Sequence, residues 1–154
     1  MITIIVGTNR ANSKSRKIAE YYLSLVKAHD AQAQILDLQE LPTDFAFSAL
    51  YANGGKNVEF NKFVKIINES EKFIFIIPEY NGSFPGVLKT FIDGLDFPGS
   101  FAHKKAAMIG ISSGVMGGAL ALSHFTDILN YLLIIPFTLT GTFLAIRMKK
   151  RKPL

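Results

Sequence analysis

Two short polar stretches hold the residues of this chain best equipped for chemistry. Pro78-Glu79-Tyr80-Asn81-Gly82-Ser83 follows the apolar run Phe73 to Ile77 and gathers a carboxylate, a flat ring, an amide and a backbone free of side chain in one turn. Gly7 to Arg16 (GTNRANSKSR) follows Ile2 to Val6 and is dense in hydroxyl, amide and guanidinium groups. A helix opening at Asn12 or Ser13 leaves its first N–H groups unpaired and carries partial positive charge there. The hydroxyls of Thr8, Ser13 and Ser15 and a fork from Arg10 or Arg16 would add donors, which is the chemistry of a phosphate site. A merely polar loop with a helix cap reads the same way when this stretch is taken alone. Neither GxxxxGK[ST] nor GxGxxG is present, which speaks against a nucleoside-triphosphate or dinucleotide loop.

Parallel strands suit these turns. Ile2–Val6, Phe73–Ile77 and Ala106–Ile111 are short β-branched or apolar runs, the pattern of strands buried on both faces. Ala33–Leu38 alternates more and predicts a less buried strand. Helices are predicted from Ser13 to about His29, with Ile18, Ala19, Tyr22, Leu25 and Val26 in one stripe, and from Val58 to Ser70. A short helix follows Pro85-Gly86, and another runs from Gly118 to about Leu132. The segment Thr43 to Asn57, with Phe45, Phe47, Leu50 and Tyr51, is too aromatic for a solvated linker and is expected either to pack on the domain's own core or to meet a ligand or subunit. Strand and helix alternate four times, the signature of an α/β doubly wound parallel sheet. With strand order 2-1-3-4-5, the first and third strands flank the switch point, and their two polar turns face one crevice. A third small turn, Ser112 to Gly118, closes another side of it. Phosphate donors at one end and a flat shelf at the other ask for a planar ligand bearing a phosphate.

Composition narrows the classes. The length of 154 residues suits one domain. Without cysteine there is no disulfide, thiolate nucleophile or sulfur-ligated metal, and His29, His103 and His124 are scattered, so no metal site is expected. The formal charge of +5 is carried by Arg147, Lys149, Lys150, Arg151 and Lys152; the remaining twelve basic residues balance twelve acidic ones. No nucleic-acid face is therefore expected. The chain opens directly on an apolar strand, which suggests a cytoplasmic protein without a secretory leader.

With these elements in place, three motifs resemble the NADPH-dependent FMN reductase family, the flavodoxin-like group that includes quinone, azo-dye and chromate reductases. Gly7 to Ser15 is similar to its G-S-x-R-x-x-S-x-[NS] loop, with Thr8 for Ser. Pro78 to Asp93 is similar to P-E-Y-N-G-S-x-P-G-x-L-K-N-x-I-D, with Thr90 for Asn, and Gly110 to Gly118 to G-x-S-x-G-x-x-G-G. The resemblance spans about residues 1–130 and implies a flavodoxin-like, three-layer α/β/α fold. It implies FMN with its phosphate on Thr8, Arg10, Ser13 and Ser15, and its ring along Pro78, Glu79, Tyr80, Asn81 and Gly82 beside Ser113 and Gly114. It also implies a ping-pong cycle in which NADPH or NADH reduces the flavin and a small acceptor (quinone, azo compound, metal oxyanion or flavin) reoxidises it. The chemistry then belongs to the cofactor, and no catalytic side chain is expected. A homodimer or homotetramer is implied as well.

The C-terminus departs from that pattern. Ile128 to Ile146 is uncharged and runs into the basic tail at 147–154, so a membrane anchor comes into consideration. Against an anchor, Pro136 and Gly141 interrupt the run, and Thr138, Thr140 and Thr142 suit a fifth strand over about 132–146 with an irregular end, the usual last helix missing or altered. The domain is then 1–146. Two other classes remain open at this level: a flavodoxin-type electron carrier without NAD(P)H turnover, and a degenerate, flavin-free interaction domain. Arg10 and the neutral body favour the reductase over an acidic carrier.

Overall fold

The computed structural model describes residues 1–29 and 32–136, with the side chains of Ile135 and Pro136 left aside. Strands β1 (Ile2–Val6), β2 (Ala33–Asp37), β3 (Lys72–Pro78) and β4 (Lys105–Ile111) form a parallel sheet in the order β2-β1-β3-β4. Helix α1 (Lys14–Ala28) connects β1 to β2, and α3 (Val58–Glu69) follows the four-residue α2 (Phe45–Ser48) on the way to β3. Helix α4 (Gly86–Asp93) links β3 to β4, and α5 (Ala119–Tyr131) follows β4.

Strand alternation sorts the core into two layers. Ile4, Val6 and Ile76 face α1, where Ala19 is buried and Ile18, Tyr22 and Leu23 pack alongside. Ile5, Phe73, Phe75 and Ile77 face the opposite way, against Phe60 and Ile67 of α3, Leu88 and Phe91 of α4, and Phe125 and Leu129 of α5. Phe125 meets Phe75 edge to face at 4.9 Å and Phe84 at 5.3 Å, which seats α5 on the sheet and on the segment that follows the polar turn. Each such buried ring contributes about 1.5–3 kcal/mol of burial alone. The segment after β2 divides between core and surface: Phe45 and Leu50 are buried, and Phe45 stacks on Phe60 at 5.7 Å, while Phe47 and Tyr51 point into solvent.

The expected fifth strand needs correction. Among the described residues of that segment Ile135–Pro136 (β5) pairs, with Lys105 and Ala106, which extends the order to β2-β1-β3-β4-β5 by two residues beside four longer strands. Leu132 caps α5, where the helix is expected to end, and Leu133, given to the strand by composition, belongs to the same closure. Leu133 takes a left-handed conformation (φ 57), its N–H donates to Asn130 O at 3.1 Å, and the N–H of Ile134 donates to Leu129 O at 3.1 Å. This is a Schellman closure with leucine where glycine is usual, so no glycine flagged it in the sequence. Pro136 has no N–H to offer the ladder. The rest of the expected strand, the domain boundary at 146 and the basic tail lie outside the described residues. Ile128 and Leu129, the start of the uncharged stretch, belong to α5, and among the described residues no helix is long and apolar enough to cross a membrane.

Candidate functional site

At the C-terminal edge of the sheet the ends of β1, β3 and β4 converge on one cavity of about 450 Å³. Its lining includes Thr8, Arg10, Ser13, Lys14 and Ser15 from the β1–α1 turn, Pro78, Glu79 and Tyr80 from the end of β3, and Ile111, Ser112 and Ser113 from the end of β4.

The first turn is built as an anion cradle. Gly7 N–H continues the pairing to Ile76 O at 2.9 Å, and a Cβ at Gly7 would stand 3.0 Å from that oxygen, so the chain turns hard against β3. Ser13 caps α1 by accepting the N–H of Arg16 at 3.1 Å. Lys14 and Ser15 then carry the first two N–H groups of a fifteen-residue helix, and these have no intrahelical acceptor. Arg10 and Lys14 are exposed, line the cavity and form no ion pair among the described residues.

Arg16, a sequence candidate for the phosphate fork, is committed elsewhere. Its guanidinium donates to Glu20 at 3.0 Å and to the buried carboxylate of Asp37 at 3.1 Å, with Glu40 at 3.6 Å. The hydrogen bonds to Glu20 and Asp37 hold its pKa above the usual arginine value. Of the two arginines, Arg10 is the one left to meet an anion.

The second turn is a two-residue hairpin. Tyr80 and Ser83 pair antiparallel, Tyr80 N–H to Ser83 O at 2.8 Å and Ser83 N–H to Tyr80 O at 3.1 Å. Asn81 (φ 51) and Gly82 (φ 79) both sit in the left-handed region, the backbone for which Asn-Gly is the favoured pair. The shelf is tied to its neighbours at three points. Glu79 N–H donates to Ile111 O at 2.8 Å, Tyr80 Oη lies 2.7 Å from Thr8 Oγ1, and Ser83 Oγ lies 3.0 Å from His124 Nδ1 on α5. The Thr8–Tyr80 bond joins the anion turn to the shelf directly.

Eight sequence candidates thus share one cavity: Thr8, Arg10, Ser13, Ser15, Pro78, Glu79, Tyr80 and Ser113. Asn81, Gly82 and Gly114 stand in the same turns but outside its lining. Ala11, Asn12, Lys14, Ile111 and Ser112 line it without having been singled out. Lys14 could have been, as the residue directly after the cap in the helix's first turn. Among the described residues no cluster of His, Asp or Glu could hold a metal ion.

The donor set fits a phosphate-bearing planar cofactor: first-turn N–H groups without an intrahelical acceptor and two cations without an ion pair among the described residues at one end, and the Pro78–Tyr80 shelf at the other, where among the described residues the buried Glu79 Oε2 has no hydrogen-bond partner. Solved structures of similar shape define the class first. The flavoenzyme NAD(P)H:(acceptor) oxidoreductase of Paracoccus denitrificans superposes with a TM-score of 0.74 at 26% identity, over 92% of this chain and 77% of that one. A flavodoxin from an archaeon superposes with a TM-score of 0.62 at 12% identity, over 90% and 79%. The fold is flavodoxin-like α/β.

The particular family follows from sequence. The model of the NADPH-dependent FMN reductase family matches residues 1–145, and the chain belongs to that family. A 2-hydroxy-1,4-benzoquinone reductase of a Burkholderia species is 31% identical over 137 residues, covering 87% of this chain and 72% of the relative. An FMN-dependent NADPH-azoreductase of Staphylococcus aureus is 32% identical over 132 residues, covering 84% and 69%. The chain is thus an FMN-dependent NAD(P)H reductase by family.

Proposed function

We propose that this cavity holds FMN and that the protein carries reducing equivalents from NAD(P)H to a small planar acceptor, a quinone or azo compound first and a metal oxyanion or free flavin second. One observation carries the reading: a single cavity joins the start of α1, with Arg10 and Lys14, to the Pro78–Tyr80 shelf. Thr8, Arg10, Ser13 and Ser15 hold the phosphate, helped by the N–H groups of Lys14 and Ser15. Pro78 to Gly82, with Ser113 and Gly114, hold the ring. Bound FMN would supply the two-electron chemistry between NAD(P)H and acceptor. The protein's part is to position the cofactor, so no side chain is assigned as general acid or base.

The tight Asn81-Gly82 hairpin and the Thr8–Tyr80 bond support this positioning role, because they fix shelf and anion turn relative to each other before any ligand arrives. Val115 and Met116, with Leu120 beside Gly82, expose apolar surface near the shelf. That rim supports a homodimer or homotetramer whose partner closes over the site. The absence of cysteine from the chain fits the reducing cytoplasm.

Initial rates with NADPH and a benzoquinone test the reading. Parallel double-reciprocal lines that depend on added FMN are expected. Flavin binding without turnover would make the chain a carrier instead, and no flavin binding at all would leave only an interaction domain.

A further inference from the structure

At the edge of the sheet opposite the cavity, where α4 and α5 end and β4 and β5 begin, three apolar side chains stand together in solvent. Phe97, between α4 and β4, stacks on Tyr131, the last residue of α5, with ring centroids 5.4 Å apart and planes 20° from parallel. The two are nevertheless 59% and 73% exposed. Leu133 follows and is 51% exposed. Its backbone is left-handed (φ 57), and its carbonyl accepts the N–H of His103, itself left-handed (φ 63), at 2.9 Å. L side chains avoid this conformation, and glycine would close the helix at lower cost. A leucine held there with half its surface in water points to a use outside the core.

The same corner leads into the basic segment, to which the cavity assigns no role. β5 begins two residues after Leu133, and Arg147, Lys149, Lys150, Arg151 and Lys152, which carry the formal charge of +5, follow a short stretch later. Chain length alone keeps them within a few tens of ångströms of the corner. Asp96 adjoins Phe97, and Asp127 lies one turn before Tyr131, so the corner itself is not basic and attraction to an anionic surface comes from that segment. Exposed aromatic rings and an aliphatic side chain next to a polybasic run suit the surface of an anionic bilayer: the apolar groups enter the headgroup region and the cations meet acidic lipids. Nucleic acid fits less well. The two rings lie against each other instead of offering open faces to bases, and a leucine has no partner on a phosphate backbone.

We propose that the corner of Phe97, Tyr131 and Leu133, together with the basic residues 147–152, docks this protein reversibly on an anionic lipid surface. The contact is interfacial, and it leaves the cavity at the far edge of the sheet facing water. It does not depend on what the cavity binds.

Cosedimentation of the full chain with vesicles of phosphatidylcholine, alone or mixed in equal parts with phosphatidylserine, tests this. Binding to the mixed vesicles is expected, about tenfold or more tighter than to phosphatidylcholine alone and lost at high salt. Replacing Lys149 and Lys150 by glutamine should weaken it about fivefold for each charge removed. Phe97→Ser combined with Tyr131→Ser should weaken it about tenfold and leave the salt dependence in place. Leu133→Gly separates docking from folding: it should bind the mixed vesicles severalfold less tightly while unfolding at higher urea concentration than the wild type. Failure to bind the mixed vesicles, or equal binding to both kinds, would overturn the proposal. So would binding that survives either the lysine or the ring substitutions unchanged, or tighter binding to a single-stranded RNA than to the mixed vesicles.

Discussion

Replacing Arg10 by alanine separates the phosphate from the ring. The side chain lines the cavity, is exposed and has no carboxylate partner among the described residues, so its loss should leave folding stability within about 0.5 kcal/mol. A hydrogen bond to a charged group contributes about 1.5–3 kcal/mol, which corresponds to roughly a ten- to hundredfold weaker FMN complex. Riboflavin has the ring without the phosphate and should bind Arg10→Ala and wild type alike. Arg16→Ala should do the reverse. It strips the guanidinium from Asp37, whose side chain is 6% exposed, and should destabilise the fold by about 1–3 kcal/mol, while leaving the ratio of FMN to riboflavin affinity unchanged. The lower half of that range is expected, because the arginine itself is 39% exposed and solvent screens the pair. Flavin fluorescence titrations at fixed salt give the affinities and urea unfolding gives the stabilities. Equal losses of FMN and riboflavin in Arg10→Ala would refute the assignment of this turn to the phosphate.

Three further outcomes follow from the same geometry. Tyr80→Phe breaks the bond to the buried Thr8 hydroxyl and should cost about 1 kcal/mol in urea unfolding, with a few-fold loss of FMN affinity; no change in either would mean that the link between turn and shelf carries nothing. Leu133→Gly should stabilise the protein by about 1 kcal/mol, since it relieves a left-handed leucine at the end of α5 that is half exposed and gives up little burial. Burial pulls the Lys104 ammonium below its ordinary value of 10.5, so the folded chain releases this proton at lower pH than the unfolded one. Between the lowered value and 10.5 the unfolded state binds more protons, and this residue's contribution makes stability rise with pH; Lys104→Met should flatten that slope in pH-dependent melting.

Much of the fold was legible because its signals are local. The runs before Gly7, before Pro78 and before Ser112 are free of charge and mostly apolar, and all three prove to be parallel strands ending at the cavity. Ser13 as a cap and Asn81-Gly82 as a turn needed only their own residue types. What failed to show depends on distant neighbours. Nothing near Arg16 announces Asp37, which lies twenty-one positions away and reaches it only because β2 runs beside β1. Similarly, Phe45 and Phe47 are two residues apart and alike in type, yet one stacks on Phe60 and the other points into solvent. Leu133 reads as strand because a run of leucine and isoleucine outweighs a helix closure that carries no glycine. At the site, the types and spacing of Thr8, Ser13 and Ser15 pointed to a phosphate, but the orphaned oxygen of Glu79 required burial to be seen.

The central claim is that the β1–α1 turn and the shelf after β3 together form one reducible flavin site. Anaerobic titration of the purified chain with FMN, followed by NADPH, tests it most directly. Saturation at one FMN per chain is expected, with bleaching of the bound flavin on addition of NADPH. FMN that fails to saturate, or that binds and stays oxidised, would contradict it.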